Sequence, residues 1–195
     1  LDFYQASSFA RTSSARSISE ELKAGRQFLQ WLREAFPKTR IVYKVGNHEQ
    51  RLERYLQTNA RELEELEDLR LENLLRFADL GVEIVAENQF VYYGHLTIIH
   101  GHEFRRSIFN PVNPARGAYL RAHACALVAH HHQSSMHGEP DIRGDLTTCW
   151  SIGCVCSLRP KYMPVNKWNT GFALLEKHGN AFSVDNKRII DGGVW

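Results

Sequence analysis

No apolar run in this 195-residue chain approaches the length needed to cross a bilayer, and no secretory signal segment is visible. The expectation from both absences is a cytoplasmic protein with no membrane partner. Cysteine is scarce: four residues, Cys125, Cys149, Cys154 and Cys156, are few for a disulfide scaffold of this size. The last three lack the paired C-x-x-C spacing of a zinc knuckle, so reduced core cysteines are expected and a structural zinc domain is disfavoured. An excess of either charge is missing too. Lys and Arg number 24 against 22 Asp and Glu, and the resulting +2 argues neither for nor against a polyanionic partner. Internal repeats and low-complexity tracts are absent.

What is present is an ordinary globular composition, 43% hydrophobic and 24% charged, in a length that suits one domain over residues 1–195. Histidine is the outlier: of ten, eight fall between His95 and His137. Along the chain, residues 1–18 read as a loop. Ser19-Glu20-Glu21-Leu22 then offers a cap and first-turn acids, and Leu22, Phe28, Leu29, Leu32 and Phe36 recur at helical spacing up to Pro37. Ile41–Val45 is a strand, apolar enough to be covered on both faces. Residues 51–80 read as one long charged helix or a helix pair closed by Gly81, with an apolar spacing too irregular for a coiled coil.

Strands are expected at 82–85, 90–93, 96–100, 125–129, 146–152, 171–176 and 181–184, with a helix over 115–124. Helices and strands alternate early and strands dominate late, which is an α/β pattern.

Three strand ends carry the chemistry. Strand 41–45 leaves through Gly46-Asn47-His48-Glu49, strand 96–99 through His100-Gly101-His102, and strand 125–129 through His130-His131-His132. Ligands in layered α/β sheets sit outside strand ends, so the spacing predicts that these loops meet around one point. Imidazole and an amide oxygen suit Zn²⁺, Mn²⁺ or Fe²⁺. In an extended His130-x-His132 both rings point to one side.

With "GNHE" at 46–49, "IIHGH" at 98–102 and "AHHH" at 129–132, the sequence resembles the calcineurin-like metallophosphoesterases. Their motifs run D-x-H, G-D-x-x-D, G-N-H-[D/E], a histidine usually followed by glycine, and G-H-x-H. Ala129 stands at the glycine position of the last motif and His131 at its variable one. D-x-H and the G-D half of the second motif are absent, and Asp2 in "LDFYQ" takes the place of that motif's last aspartate. The expectation is an N-terminally truncated chain, preceded by the family's first strand and bridging aspartate.

The resemblance implies a four-layer α/β/β/α sandwich, here missing its first strand, and two divalent metal ions, Mn²⁺ foremost, with Zn²⁺, Fe²⁺ or Ni²⁺ as alternatives. It places Asn47, His100 and His130 on one metal and His132 on the other. It makes His48 the catalytic residue, proton donor to the leaving oxygen or stabiliser of transition-state charge, with Glu49 fixing its tautomer and raising its basicity. A hydroxide shared by the two ions would attack a phosphomono- or phosphodiester in line.

Arg51 is a candidate substrate clamp on phosphate or, equally, a solvated arginine on a helix face. His102 and His137 are candidates for an outer role or plain surface histidines, and Trp150, Tyr162 and Trp168 for core packing or the cleft wall. The substrate is a phosphoester, and Arg105, Arg106, Arg116 and Arg121 give a nucleotide or nucleic acid modest support. Asp2-Phe3-Tyr4 in place of D-R-G argues against the protein-phosphatase branch, and the style of "LDFYQASSF" resembles small bacterial or phage-encoded members. A catalytically inactive metal-binding remnant, acting as an interaction module through the charged segment 51–80, is the competing expectation.

Overall fold

The chain, described by a computed structural model over residues 1–8, 16–104, 112–160 and 162–195, is mixed α/β, the class its sequence predicts. It forms two compact units, Leu1–Glu87 and Asn88–Trp195. Among the described residues no helix is long and apolar enough to cross a membrane.

In the first unit the leading helix α1 spans Ile18–Ala35. Its cap is Ser17 rather than Ser19. The Ser17 hydroxyl accepts the Glu20 N–H at 3.2 Å, and the Glu20 carboxylate accepts the Ser17 N–H at 2.8 Å, so S-x-x-E satisfies two end donors reciprocally. The buried stripe runs Leu22, Gly25, Leu29 and Leu32, while Phe28 and Phe36 of the expected set are exposed. Gly25 belongs to that stripe because a Cβ there would lie 3.1 Å from the Leu75 side chain.

Strand β1 (Ile41–Lys44) pairs in parallel with β2 (Val82–Val85), Ile41 opposite Val82. Phe3, Leu22, Leu29, Ile41, Leu75, Phe77 and Val82 close one core.

The single helix expected over 51–80 is broken. Helix α2 covers Gln50–Asn59; two 3₁₀ turns, Arg61–Leu63 and Glu67–Leu69, and two short helices, α3 (Leu71–Leu74) and α4 (Phe77–Leu80), follow. Arg76 between the last two has φ 57°, a left-handed turn that no continuous helix contains. The break turns Leu75 and Phe77 inward, 1% and 2% exposed, which a straight solvated helix would not do.

Glu21 is the buried acid of this unit. Its carboxylate accepts the backbone N–H groups of Asp2 (2.8 Å) and Phe3 (2.7 Å), and Phe3 sits at φ 47° with its ring fully buried. Glu21 therefore fixes the segment that carries Asp2. Glu21→Ala would strand both donors, at about 1–3 kcal/mol for each one left buried and unpaired. Urea unfolding should show a lower midpoint with an unchanged slope.

The second unit holds a five-stranded sheet of order β3-β4-β5-β7-β6, from β3 (Val91–Tyr93), β4 (Leu96–Ile98), β5 (Ala126–Val128), β6 (Ser135–Pro140) and β7 (Leu146–Ser151). Strands β4, β5 and β7 are mutually parallel, so their C-terminal ends lie along one edge. β3 and β6 flank them antiparallel. Helix α5 (Pro114–Ala122), capped by the Asn113 side chain on the Arg116 N–H, packs Ala118 with Ile99, Ala126, Val128 and Cys149. A separate antiparallel sheet runs β10-β9-β8, from β8 (Gly171–His178), β9 (Ala181–Ile190) and β10 (Gly193–Val194).

Candidate functional site

Asn47, His48, Glu49 and Arg51 leave strand β1 in the first unit; His100, His130 and His132 follow β4 and β5 in the second. Each group is built by its own unit.

In the first, Asn47 Oδ1 is buried and meets no hydrogen-bond donor among the described residues. Buried acceptors are seldom left so, and an amide oxygen aimed at a cation is one of the few arrangements that explains it. Next to it, His48 is gripped on both ring nitrogens. Nδ1 lies 3.0 Å from Asp2 Oδ1, and Nε2 lies 3.2 Å from a terminal nitrogen of Arg51. A guanidinium only donates and a carboxylate only accepts, so Nδ1 carries the proton and Nε2 is the acceptor. Arg51 also donates to the Asp2 carboxylate and, at 2.8 Å, to the Asp2 carbonyl.

Asp2 is therefore the residue that sets the His48 tautomer, and the role expected of Glu49 is corrected. Glu49 Oε1 accepts the Tyr43 hydroxyl at 2.8 Å and Oε2 accepts the Gly46 N–H at 3.0 Å. These bonds hold the Gly46-Asn47 turn against β1, and no bond to His48 is among them. Burial, reinforced by the Glu49 carboxylate, pushes the Tyr43 hydroxyl well above its ordinary range and keeps it a donor. Arg51, expected on substrate, is engaged by Asp2 and His48.

The Asp2 carboxyl is held below its usual value of 3.8, first by the His48 hydrogen bond and then, against burial, by the Arg51 guanidinium. A carboxylate depressed on folding adds stability above its unfolded value and loses it as pH falls through the folded one. Acid titration of stability should thus be steeper below about pH 4 for the native chain than for Asp2→Asn. Parallel curves would remove Asp2 from this network.

In the second unit the ends of β4 and β5 meet. The carbonyl of His100 accepts the N–H groups of Ala129 and His130, both at 2.9 Å, and the His100 and His130 rings stand 5.0 Å apart. Gly101, at φ 117°, makes that approach possible: a Cβ would fall 3.1 Å from the Cβ of His130 and 3.2 Å from that of Val128. His102 joins them, its Nδ1 2.9 Å from Nδ1 of His100.

Glu103 turns its carboxylate back onto the loop, accepting the N–H of His100 at 3.2 Å and of Gly101 at 2.5 Å. The donor atoms of His100, His102 and Glu103 lie within 4.8 Å of one another, a spacing that can hold a cation. The fit is borderline-to-hard in character, two imidazoles and a carboxylate, as Mn²⁺, Fe²⁺ or Zn²⁺ prefer. A cleft of about 150 Å³ opens beside them, lined by His102, Phe104, Arg121, His130 and His131. Burial, with help from His132, pulls His131 below the ordinary imidazole range, so it lines the cleft as a neutral ring.

His132, expected beside the other histidines as a ligand, is placed elsewhere in the same strand-end row. It lies at φ 56° with its ring edge-on to Trp168, centroids 4.4 Å apart, and its Nδ1 3.6 Å from Cys156 Sγ. Cys154 completes the trio, within 4.8 Å. Hydrogen bonding from the Cys156 side chain, followed by that of His132, draws the Cys154 thiol well below its usual range in spite of burial. The expectation of core cysteines therefore holds for Cys149, buried and pushed up to about 11 by that burial, but not for Cys154 or Cys156.

Of the other expectations, His137 is in β6 against Tyr119, and Trp150 packs on Phe182. Arg116 and Arg121 lie on α5, and Arg105 and Arg106 are outside the described residues.

No family model matches the chain. Among curated proteins it is similar to the Gene 54 protein of Mycobacterium phage L5, 27% identical over 191 residues, 91% of this chain and 73% of that one. Among solved structures it is similar to a single-mutant Vps29 from Entamoeba histolytica. The TM-score is 0.44 at 16% identity, over 96% of this chain and 92% of that one. For wild-type Vps29 complexed with zinc, from the same organism, the score is 0.38 at 16% identity, over 57% and 58%. Similarities this distant assign no site, and the chemistry below rests on this chain's own residues.

Proposed function

We propose that the protein is a divalent-metal-dependent phosphoester hydrolase, small and of phage type, in keeping with the phage relative. The observation that carries the reading is Asn47 Oδ1, a buried amide oxygen that meets no donor among the described residues, one residue before a histidine whose tautomer is fixed from both sides. Asn47, His100, His130 and His132 are the proposed metal-holding residues, His48 the catalytic one with Glu49 as a support of its turn, and Arg51 the substrate-binding one. His102 and Glu103 extend the donor set.

Two bound divalent ions, Mn²⁺ foremost, would supply Lewis-acid stabilisation of the phosphoryl oxygens and a nucleophilic water at neutral pH. The chain's own residues supply positioning and protons. Asp2 accepts from His48 Nδ1 and keeps Nε2 as the atom that exchanges a proton with substrate. Arg51 covers that nitrogen in the resting chain. An incoming phosphate competes for the guanidinium, which forms stronger paired bonds to phosphate oxygens than to a neutral ring nitrogen. Nε2 is then freed to take up a proton from solvent, giving an imidazolium held by Asp2, and to pass that proton to the leaving oxygen. The proposed substrate is a phosphomono- or phosphodiester, with a nucleotide or nucleic acid as the candidate class, reached from the cytoplasm.

The reading is tested with bis-p-nitrophenyl phosphate and the full-length gene product, stripped with chelator and resupplied with Mn²⁺. Hydrolysis that disappears on stripping and returns with metal is expected; metal-independent or absent hydrolysis would sink it. The competing reading, a metal-binding interaction module, draws on Arg51 being already engaged by Asp2. It predicts metal uptake without turnover in that assay.

A further inference from the structure

The structure assigns to His132, Cys154 and Cys156 a thiolate-rich metal centre that takes zinc or a similarly thiophilic divalent ion. It shares His132 with the reading above but does not depend on hydrolysis.

Topology brings the three together. β5 and β7 are parallel neighbours, Val128 opposite Ser151, so the loop after β5 carrying His132 and the loop after β7 carrying Cys154 leave the sheet at the same edge. Asn169 then ties the two loops. Its backbone N–H donates to the His132 carbonyl at 3.0 Å, and its carbonyl accepts the Cys154 N–H at 2.9 Å. Its side chain accepts the Ser134 N–H at 2.7 Å and donates to the Ser134 hydroxyl at 2.9 Å. The ligand-bearing backbone is thus fixed before any ion arrives, and Trp168 covers the His132 ring.

Distance and chemistry agree. A tetrahedral ion with bonds of about 2.3 Å to sulfur and about 2.0 Å to imidazole nitrogen holds those donors roughly 3.5 Å apart. Cys156 Sγ and His132 Nδ1 are 3.6 Å apart. Cys154 lies within 4.8 Å of both, so without an ion the three groups can hydrogen-bond in pairs, and with one all three donors can turn onto a single cation. Two sulfurs and one nitrogen favour zinc over Mn²⁺ or Mg²⁺, in contrast to the His100-His102-Glu103 set. Cys156 is exposed, so the fourth position faces solvent and is open to water or a ligand. Binding converts both thiols to thiolates and releases their protons to buffer.

The test is a cobalt titration of the reduced full-length protein, read by the sulfur-to-cobalt charge-transfer absorption, with zinc competition for affinity. The band is expected in the wild type and in Cys125→Ser. It should be lost in Cys154→Ser/Cys156→Ser, with zinc binding weakened by more than the ~10–100-fold that removal of an outer partner costs. Cys156→Ser alone, at an exposed position, should keep the native circular dichroism and still weaken the band, which separates ligand loss from misfolding. No band in the wild type, or a band that survives the double variant, would overturn the assignment. The band is blind to turnover: hydrolysis without it refutes this centre only, and the band without hydrolysis refutes the phosphoesterase reading only.

Discussion

His48→Ala is expected to lower Mn²⁺-supported phosphodiester turnover by roughly 10²–10⁴-fold, the usual contribution of a positioned proton donor, with metal content unchanged. The split follows from the geometry. His48 spends both ring nitrogens on Asp2 and Arg51 and offers none to a cation, whereas the neighbouring Asn47 oxygen has no partner among the described residues. Asp2→Asn should produce part of the same loss, because an amide can present its N–H to the ring and favour the wrong tautomer. It should also shift the pH–rate profile, which a merely structural role for Asp2 would not do. A His48→Ala enzyme with native turnover would remove proton transfer by this residue.

Asn47→Ala is expected to act in opposite directions with and without metal. In metal-free protein the native Oδ1 is a buried acceptor unsatisfied among the described residues, a cost on the order of 1–3 kcal/mol. Its removal should leave stability unchanged or slightly raised, where most truncations of partly buried residues lower it. With Mn²⁺ present the native chain gains stability by mass action, and the variant should gain far less. Thermal unfolding of both proteins across a Mn²⁺ series reads the difference directly. Equal metal-dependent shifts would mean that Asn47 is no ligand; a large loss of stability without metal would mean that its oxygen has a structural partner.

Much of this was legible in the sequence because it is local. Gly46-Asn47-His48-Glu49 follows an apolar strand, and the histidines at 100 and 130 follow two more, so the strand ends and the polar residues placed at them could be read from contiguous residues. The α/β class came from the same alternation. What escaped depends on distance along the chain. Asp2 reaches His48 only because Glu21, nineteen residues on from Asp2, binds the backbone of that segment; nothing in "LDFYQ" announces an imidazole partner. Glu49 reads as the obvious orienter of its neighbour, yet the helix that starts at Gln50 turns its carboxylate toward Tyr43 and Gly46.

Segment 51–80 was misread for a different reason. Its leucines are numerous enough to suggest one helix, but burying Leu75 and Phe77 in the same core requires the left-handed turn at Arg76. Cys154 and Cys156 lack C-x-x-C spacing, and only the parallel pairing of β5 with β7 sets them beside His132. Strand β6, "SMHGEP", carries a glycine and a proline and little apolar alternation, so only its pairing with β7 reveals it.

The most direct test of the central claim, that these strand ends hold catalytic divalent metal, is metal stoichiometry. The full-length protein and its Asn47→Ala and His100→Ala variants would be loaded with Mn²⁺, dialysed and assayed for bound metal per chain. Two ions in the native protein and fewer in both variants, in step with lost hydrolysis, is the predicted result. Equal metal in all three, or none in the native protein, would contradict it.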